Sequence, residues 1–166
     1  MNEYFFNRTL ADWVDGMGSL DYLPSSPISN WGNAKGLTEG DLHYWGVWHV
    51  GSTFSSFTNN VGRFVSEYGF QSYPDSALLA KYYPADSLYL GSSTVKRMQR
   101  SYKTDRPIWE AIDRELGEER PTTLGGFIEA SQRAQAKAYQ MAIDAHLDAR
   151  GGHQHVDPAG PELPHP

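Results

Sequence analysis

Three short segments with strand-like composition alternate with helical patterns, and this alternation limits the folds open to the chain. The segments cover residues 20–23, 41–48 and 63–70, and the last two are rich in β-branched and aromatic residues. Residues 24–27, Pro-Ser-Ser-Pro, close the first segment with a turn signal. Strands that alternate with helices are typical of a parallel sheet. We therefore predict an α/β architecture.

Apolar residues at spacings of three and four predict the connecting helices. The first such set is Phe6, Leu10, Trp13 and Val14, and glycines then end the pattern. Shorter patterns follow at residues 54–61, 76–83 and 108–116, and the longest covers residues 127–150. Residues 151–166 are rich in proline and glycine with few apolar residues, so they are predicted to be a disordered tail.

Composition narrows the possible partners. The chain has 166 residues, 39% of them hydrophobic, which is enough for a globular core. A net charge of −6 without any basic cluster argues against nucleic acid, and no apolar run is long enough to span a membrane. The absence of cysteine fits a reducing compartment, so the cytoplasm is favoured over secretion although localisation stays open. The tail histidines 153, 155 and 165 have no ordered scaffold and predict no metal site.

Glu67 is the residue of greatest chemical interest. It lies in the third predicted strand among apolar, aromatic and small residues, where an unpaired charge would be costly to bury. A period of two places Arg63, Val65, Glu67 and Gly69 on one face. Arg63 lies roughly 13 Å away along the strand, too far for a direct ion pair. A catalytic carboxylate and a structural one both remain open.

Aromatic residues cluster around the second and third predicted strands. The rings of Tyr44, Trp45, Trp48 and Tyr68 could stack on the weakly polar C–H faces of sugars. They could equally fill a hydrophobic core, which is the common role of single aromatic residues. Their grouping near a carboxylate favours a sugar site.

Longer stretches of the chain resemble one enzyme family. Residues 24–27, residues 40–49 (GDLHYWGVWH) and residues 62–72 (GRFVSEYGFQS) resemble motifs of the β-mannosidase branch of glycoside hydrolase family 2, in the same order and at similar spacing. Residues 131–136 (SQRAQA) resemble the helix that follows in that family. The resemblance extends from residue 4 to about residue 150.

The resemblance implies a (β/α)8 TIM barrel, in which active residues lie at the C-terminal ends of the strands. A complete barrel needs about 250 residues, so residues 1–150 are expected to be the C-terminal part of a catalytic barrel, roughly strands five to seven with their helices. Glu67 would be the nucleophile at the end of strand seven. His43, Tyr44, Trp45 and Trp48 would belong to the site of the terminal mannose, and no cofactor is implied.

A retaining reaction also needs a second carboxyl about 5 Å from the nucleophile. In the family this glutamate follows an asparagine after the fourth strand. Asn2-Glu3 matches only as a dipeptide and runs directly into the first predicted helix, so the acid/base residue is expected upstream of Met1.

These expectations describe a fragment of a retaining exo-β-mannosidase. Its substrate would be terminal β-D-mannose of oligosaccharides or glycoconjugates, and it would be inactive without the missing barrel portion. Two alternatives remain: a non-catalytic carbohydrate-binding or assembly fragment, and a related family 2 β-glycosidase with another sugar specificity.

Overall fold

A computed structural model describes residues 2–30 and 32–151. These residues form two compact units. The first unit contains the residues up to Tyr44 together with Asn60–Tyr68, and the second contains Trp45–Asn59 together with the residues from Gly69 to Gly151. Of the predicted tail, Gly151 instead belongs to the last helix, and residues 152–166, with the three histidines, lie outside the described residues.

The first unit contains a parallel sheet of three short strands. These are β1 (Ser29–Asn30), β2 (Leu42–Tyr44) and β3 (Val65–Tyr68), in the order β1-β2-β3. A register shift occurs between the first two residues of β2, so that Leu42 pairs with Val65 but His43 pairs with Glu67. Such a bulge leaves one residue of β3 unpaired and changes the direction of its neighbours.

A helical segment precedes the sheet in the first unit. It consists of α1 (Asn2–Tyr4), a π-helical turn (Phe5–Thr9) and α2 (Leu10–Asp15). Gly16 follows α2, and Gly18 has a φ of 119°, which a residue with a side chain rarely adopts. The predicted first helix and its glycine stop are therefore confirmed. A short 3₁₀ helix (Ala34–Leu37) lies between β1 and β2.

The strand predictions need correction. Residues 20–23 form no strand, and the first strand instead follows the proline turn at Ser29–Asn30. The second strand is limited to Leu42–Tyr44, because the chain enters a π-helical turn (Gly46–Val50) after Trp45. The third strand is shorter than residues 63–70, and none of its four residues is buried. The composition of a segment can predict extended backbone, but it does not show which residues pair with a neighbouring strand.

The second unit is mainly helical. Its longer helices are α3 (Ser76–Tyr82), α4 (Ser93–Met98), α5 (Arg106–Ala111) and α6 (Leu124–Gly151). Two 3₁₀ helices (Phe54–Asn59 and Ala85–Ser87) and a π-helical turn after α5 (Ile112–Leu116) complete it, together with the turn Gly46–Val50. The predicted helices at 76–83, 108–116 and 127–150 are confirmed with small shifts of their ends.

Local side chains fix the starts of two of these helices. The Asp75 carboxylate accepts a hydrogen bond from the Leu78 amide at 2.7 Å, and Ser92 Oγ accepts one from the Val95 amide at 3.1 Å. Both residues thus satisfy an amide that has no partner within its own helix.

Aromatic and aliphatic side chains form the core of the second unit. Phe54, Ile108, Ile112 and Phe127 are fully buried, and the Phe127 ring stacks on Trp109 with centroids 4.3 Å apart. Helix α6 contributes mainly small residues to this core. Its buried alanines recur at spacings of three and four, at positions 130, 134, 138, 142 and 145. Small side chains allow a helix to approach its neighbours closely.

The described residues contain neither a membrane-spanning helix nor a metal-binding cluster. None of the helices there is both long enough and apolar enough to cross a membrane. No group of three or more His, Asp or Glu side chains between residues 2 and 151, Trp31 excepted, is arranged to hold a metal ion.

Candidate active site

A buried carboxylate organises the first unit. Asp41, which precedes β2, is only 2% exposed. Its Oδ2 accepts hydrogen bonds from Ser26 Oγ at 2.5 Å and from Ser66 Oγ at 2.7 Å, and its Oδ1 accepts one from the Ile28 amide at 2.7 Å. The hydrogen bonds from Ser26 and Ser66 lower the pKa of Asp41 to about 2, and burial opposes them only in part. Asp41 is therefore ionised at neutral pH.

His43 connects this carboxylate to the candidate nucleophile. Its Nε2 lies 2.9 Å from Ser26 Oγ and 3.8 Å from Asp41 Oδ2, and its Nδ1 lies 3.2 Å from Glu67 Oε2. The side chain is 15% exposed. Both ring nitrogens thus face protein groups, and the predicted contact of His43 with a sugar stays a prediction.

Glu67 is held at the surface of the sheet. Its side chain is 50% exposed, so water and a ligand can reach the carboxylate. The bulge in the β2–β3 pairing brings Glu67 opposite His43, and the preceding Ser66 is left to bond to Asp41. The register shift therefore places Glu67 opposite His43 and lets Ser66 donate a hydrogen bond to Asp41.

The sequence analysis missed most of this cluster. Arg63 was excluded as a direct partner of Glu67 by its distance along the strand, and no other partner was predicted; the structure places His43 Nδ1 3.2 Å from Glu67 Oε2. Asp41, Ser26 and Ser66 were not predicted as site residues, although all three lie within stretches that resemble the family motifs. The pairing register and its bulge bring these residues together, and neither can be read from composition.

The predicted aromatic residues are buried to different extents. Tyr44, in the first unit, is 4% exposed. Trp45 is half-buried and Trp48 is 3% exposed, and both belong to the second unit. The Trp48 ring packs edge-to-face against Phe70 with centroids 5.3 Å apart. Trp48 therefore combines a core contact with its position along a groove.

This groove of the second unit has a volume of about 750 Å³. Trp45, Trp48, His49 and Tyr102 supply aromatic walls, and polar side chains line it as well: Gln71, Ser72, Gln99, Arg100, Ser101 and Gln135. The His49 and Tyr102 rings are stacked at 5.8 Å with an interplanar angle of 6°. Aromatic faces next to amide and guanidinium donors are suited to a polar ring with apolar faces.

Gly69 lines the same groove close to two aromatic side chains. A Cβ at this position would lie 2.9 Å from the Tyr139 hydroxyl and 3.6 Å from the Trp45 ring. The backbone of this residue therefore packs directly against both aromatic side chains.

Segments of known proteins are similar to this chain. No family model matches the chain. A β-mannosidase B of Thermothelomyces thermophilus is 33% identical over 148 residues, which cover 83% of this chain and 17% of that protein. The chain is homologous to part of a β-mannosidase. A β-mannosidase B of Aspergillus fumigatus is 39% identical over 78 residues, which cover 43% of this chain and 9% of that protein.

A solved structure shows the same fold. The β-D-mannosidase of Dictyoglomus thermophilum superposes with a TM-score of 0.77 and 24% identity, over 89% of this chain and 18% of that one. The chain thus spans less than one fifth of the length of these relatives. The relatives support a glycoside hydrolase origin for the segment.

Proposed function

We propose that this chain is the nucleophile-bearing segment of a retaining exo-β-mannosidase of glycoside hydrolase family 2, acting on terminal β-D-mannose of oligosaccharides or glycoconjugates. The observation that carries the proposal is the carboxylate of Glu67. It is half-exposed near the C-terminal end of a parallel strand and lies 3.2 Å from an imidazole nitrogen of His43. Catalytic residues of α/β barrels occupy such strand ends.

Within this proposal β1, β2 and β3 correspond to strands five, six and seven of a (β/α)8 barrel. Their parallel pairing in chain order is compatible with neighbouring strands of such a barrel. The fold shared with the Dictyoglomus thermophilum enzyme supports the same assignment. The remaining strands would come from the rest of the barrel.

Glu67 would attack the anomeric carbon of the mannoside and form a covalent glycosyl ester. A second carboxyl must protonate the departing oxygen and then activate the water that cleaves the ester. This chemistry needs two carboxyl groups and water, and it needs no cofactor.

Asp41 does not suit the role of this second carboxyl. Its pKa is lowered to about 2, so it holds no proton to donate at neutral pH. Its two oxygens already accept three hydrogen bonds. The acid/base carboxyl therefore has to come from outside this cluster, and we propose that the rest of the barrel supplies it. For the same reason the chain is expected to hydrolyse no β-mannoside alone.

Tyr44, Trp45, Trp48 and His43 remain our proposed sugar-site residues. Trp45 is the best suited to stack on a pyranose ring because it is only half-buried and lines the groove of the second unit. The buried Tyr44 and Trp48 would act by shaping the site. A different sugar, as in a related family 2 β-glycosidase, would be recognised through different contacts with these four residues.

A second candidate function is carbohydrate binding without catalysis. The aromatic groove favours it, because Trp45, His49 and Tyr102 offer ring faces within one unit that contains neither Glu67 nor Asp41. A chain that bound mannosides through this groove while Glu67 stayed unreactive would fit this function.

An exchange of segments tests the proposal. The matching segment of the Thermothelomyces thermophilus β-mannosidase B would be replaced by this chain, and the product treated with a 2-deoxy-2-fluoro-mannosyl compound with a good leaving group. The fluorine slows breakdown of the ester, so the label should accumulate on the peptide of residues 64–71. Glu67→Gln should abolish both label and turnover, whereas Glu39→Gln, at an exposed carboxylate of the same unit, should leave both unchanged. Label on another carboxylate of a folded, active exchange enzyme would remove Glu67 from the nucleophile role.

A further inference from the structure

The groove of the second unit contains a positively charged side chain, Arg100, and no Asp or Glu among the described residues that line it. Most arginines of this unit are paired: those at positions 106, 114, 120 and 133 lie 2.5–3.7 Å from a carboxylate oxygen. Within the described part of the chain Arg100 forms no such ion pair, although the net charge of the chain is −6. Its guanidinium is therefore available to an anion that enters the groove.

The loop that carries Arg100 is held by the residues on either side of it. The Gln99 amide group donates a hydrogen bond to Asp105 Oδ1 at 3.0 Å, and Gln99 Oε1 accepts one from the Ser101 amide at 2.8 Å. The Tyr73 hydroxyl donates to the same Asp105 oxygen at 2.9 Å. The backbone next to Arg100 is thus anchored by hydrogen bonds, while its guanidinium is left to reach a ligand.

Helix α6 fixes another part of the groove. The Gln135 amide group donates a hydrogen bond to the Phe70 carbonyl at 2.6 Å, and Gln135 Oε1 accepts one from Ser72 Oγ at 2.8 Å. The buried Ser131 Oγ accepts a hydrogen bond from the Tyr73 amide at 3.0 Å. Residues 70–73 are therefore held in place before a ligand arrives. A groove that is already ordered loses little conformational entropy on binding.

An exposed aromatic ring lies close to Arg100 in the chain. Tyr102 is 77% exposed, and its ring stacks on that of His49. The Lys103 ammonium lies 5.5 Å from the centroid of the Tyr102 ring and brings a second positive charge to it. Ring faces favour the C–H face of a pyranose, whereas the two cations favour an anionic substituent. A neutral sugar would use the rings and leave both charges without a partner.

We propose that this groove binds an acidic sugar, meaning a pyranose that bears a carboxylate or a phosphate group, and that Arg100 binds the anionic group. This inference rests on the proposed binding of oligosaccharides or glycoconjugates and adds the charge of one of their sugars. A planar guanidinium can donate two parallel hydrogen bonds to either anion, so the two groups share this chemistry. Lys103 attracts the same anion as a point charge.

Titrations followed by nuclear magnetic resonance on the 166-residue protein test the proposal. The compounds are mannose, mannuronic acid, mannose 6-phosphate and inorganic phosphate. At least one acidic sugar should bind about tenfold or more tightly than mannose, and it should shift the signals of the Arg100 Nε–H and the Tyr102 ring. The tighter of the two acidic sugars identifies the anionic group. Added salt should weaken binding of the acidic sugar and not of mannose, because salt screens exposed charges.

Variants at exposed positions separate Arg100 from the general charge of the surface. Arg100→Gln should weaken binding of the acidic sugar by about fivefold or more and leave binding of mannose nearly unchanged. Arg100→Lys, which keeps the charge without the two-donor geometry, should retain part of the affinity. Lys81→Gln removes an exposed positive charge from α3 that does not line the groove, so this control should change neither affinity.

Equal binding of mannose and both acidic sugars would overturn the proposal and leave the groove as a neutral sugar site. Inorganic phosphate that bound as tightly as the acidic sugars would overturn it as well, because the sugar ring would then contribute nothing. Equal losses in Arg100→Gln and Lys81→Gln would assign the attraction to the whole surface instead of the groove. If no sugar bound, the sugar-binding role of the groove would fail too, whereas the labelling experiment decides the role of Glu67 separately.

Discussion

The two units of the molecule are stabilised in different ways. The second unit buries most of the large apolar side chains, and aromatic rings pack against one another in its core. In the described part of the first unit the buried large apolar side chains are Leu42 and Tyr44, and the buried Asp41 carboxylate is held by hydrogen bonds. Large apolar residues are exposed there instead: Phe5, Phe6, Trp13, Met17, Leu20, Leu23, Ile28 and Phe64.

The residues that stabilise the chain and the residues proposed to carry its chemistry therefore lie in different units. Burial of apolar surface is the dominant favourable contribution to folding, so the second unit should hold most of the chain's intrinsic stability. The cluster of Asp41, His43 and Glu67 lies entirely in the first unit. Substitutions in the second unit should therefore change unfolding, and those in the cluster should change pH response and reactivity. The following predictions test that division.

The largest effect is expected from Phe127→Ala. Phe127 is fully buried and packs against Trp109 and Tyr73, so the truncation leaves a cavity in the core of the second unit. We expect a loss of about 3–5 kcal/mol in the free energy of unfolding, measured by urea denaturation. Leu147→Ala, in the same helix but 57% exposed, is the matched control and should have a small effect. A loss below about 1 kcal/mol for Phe127→Ala would contradict the division.

Acid should weaken the first unit before the second. The pKa of Asp41 is lowered from 3.8 to about 2 in the folded chain, so its contribution is fully present above the unfolded value. That contribution, about 2–3 kcal/mol at most, is lost as the pH falls from about 5 through 2. Amide protection factors, which are corrected for the intrinsic pH dependence of exchange, should therefore fall between pH 5 and pH 3 in β2 and β3 more than in α6. Asp41→Asn should remove this difference, and an equal fall in both units would show that Asp41 does not control it.

A smaller effect is expected from the helix cap at Asp75. Its carboxylate satisfies the Leu78 amide at the start of α3, so Asp75→Ala should cost about 1 kcal/mol. Thermal unfolding measures the change, and Asp75→Asn should retain most of the cap. A full loss with Asn as well would indicate that the charge acts by some route other than capping.

The smallest effect is expected at a surface ion pair of the second unit. Arg133 and Glu118 form a hydrogen-bonded pair at 2.5 Å, and about half of the arginine side chain is exposed. Exposed pairs contribute little to stability because water and salt screen them. Arg133→Gln should leave the unfolding midpoint unchanged within error at moderate salt. A clear drop would mean that surface charges contribute to the stability of the second unit as well as its core.

The sequence predicted the helices better than the strands. Helix α6 was recognisable because its pattern is long and rich in Ala, and the structure describes it over Leu124–Gly151. Strand pairing depends on partners far away in the chain, so the bulge between Leu42 and His43 left no local signal. The π-helical turn at Gly46–Val50 likewise replaced a predicted continuation of the second strand.

The candidate site was predictable only in part. Glu67 stood out as a charge in an apolar segment, but the reason given for its interest was wrong, because its side chain is half-exposed. The buried charge of this unit is Asp41, which the composition of its segment did not distinguish from a surface residue. Its burial depends on hydroxyl groups from two other segments, and such convergence appears only in three dimensions.

The anchoring of Asp41 has a consequence for how the first unit assembles. Ser26 lies 15 residues before Asp41 and Ser66 lies 25 residues after it, so the carboxylate gathers its donors only when three distant segments meet. Until then, covering the charge would remove it from water without compensation. Intermediates in which β2 is covered but β3 is absent should therefore be disfavoured. We expect the turn at Ser26, strand β2 and strand β3 to come together in one concerted late event along the folding pathway.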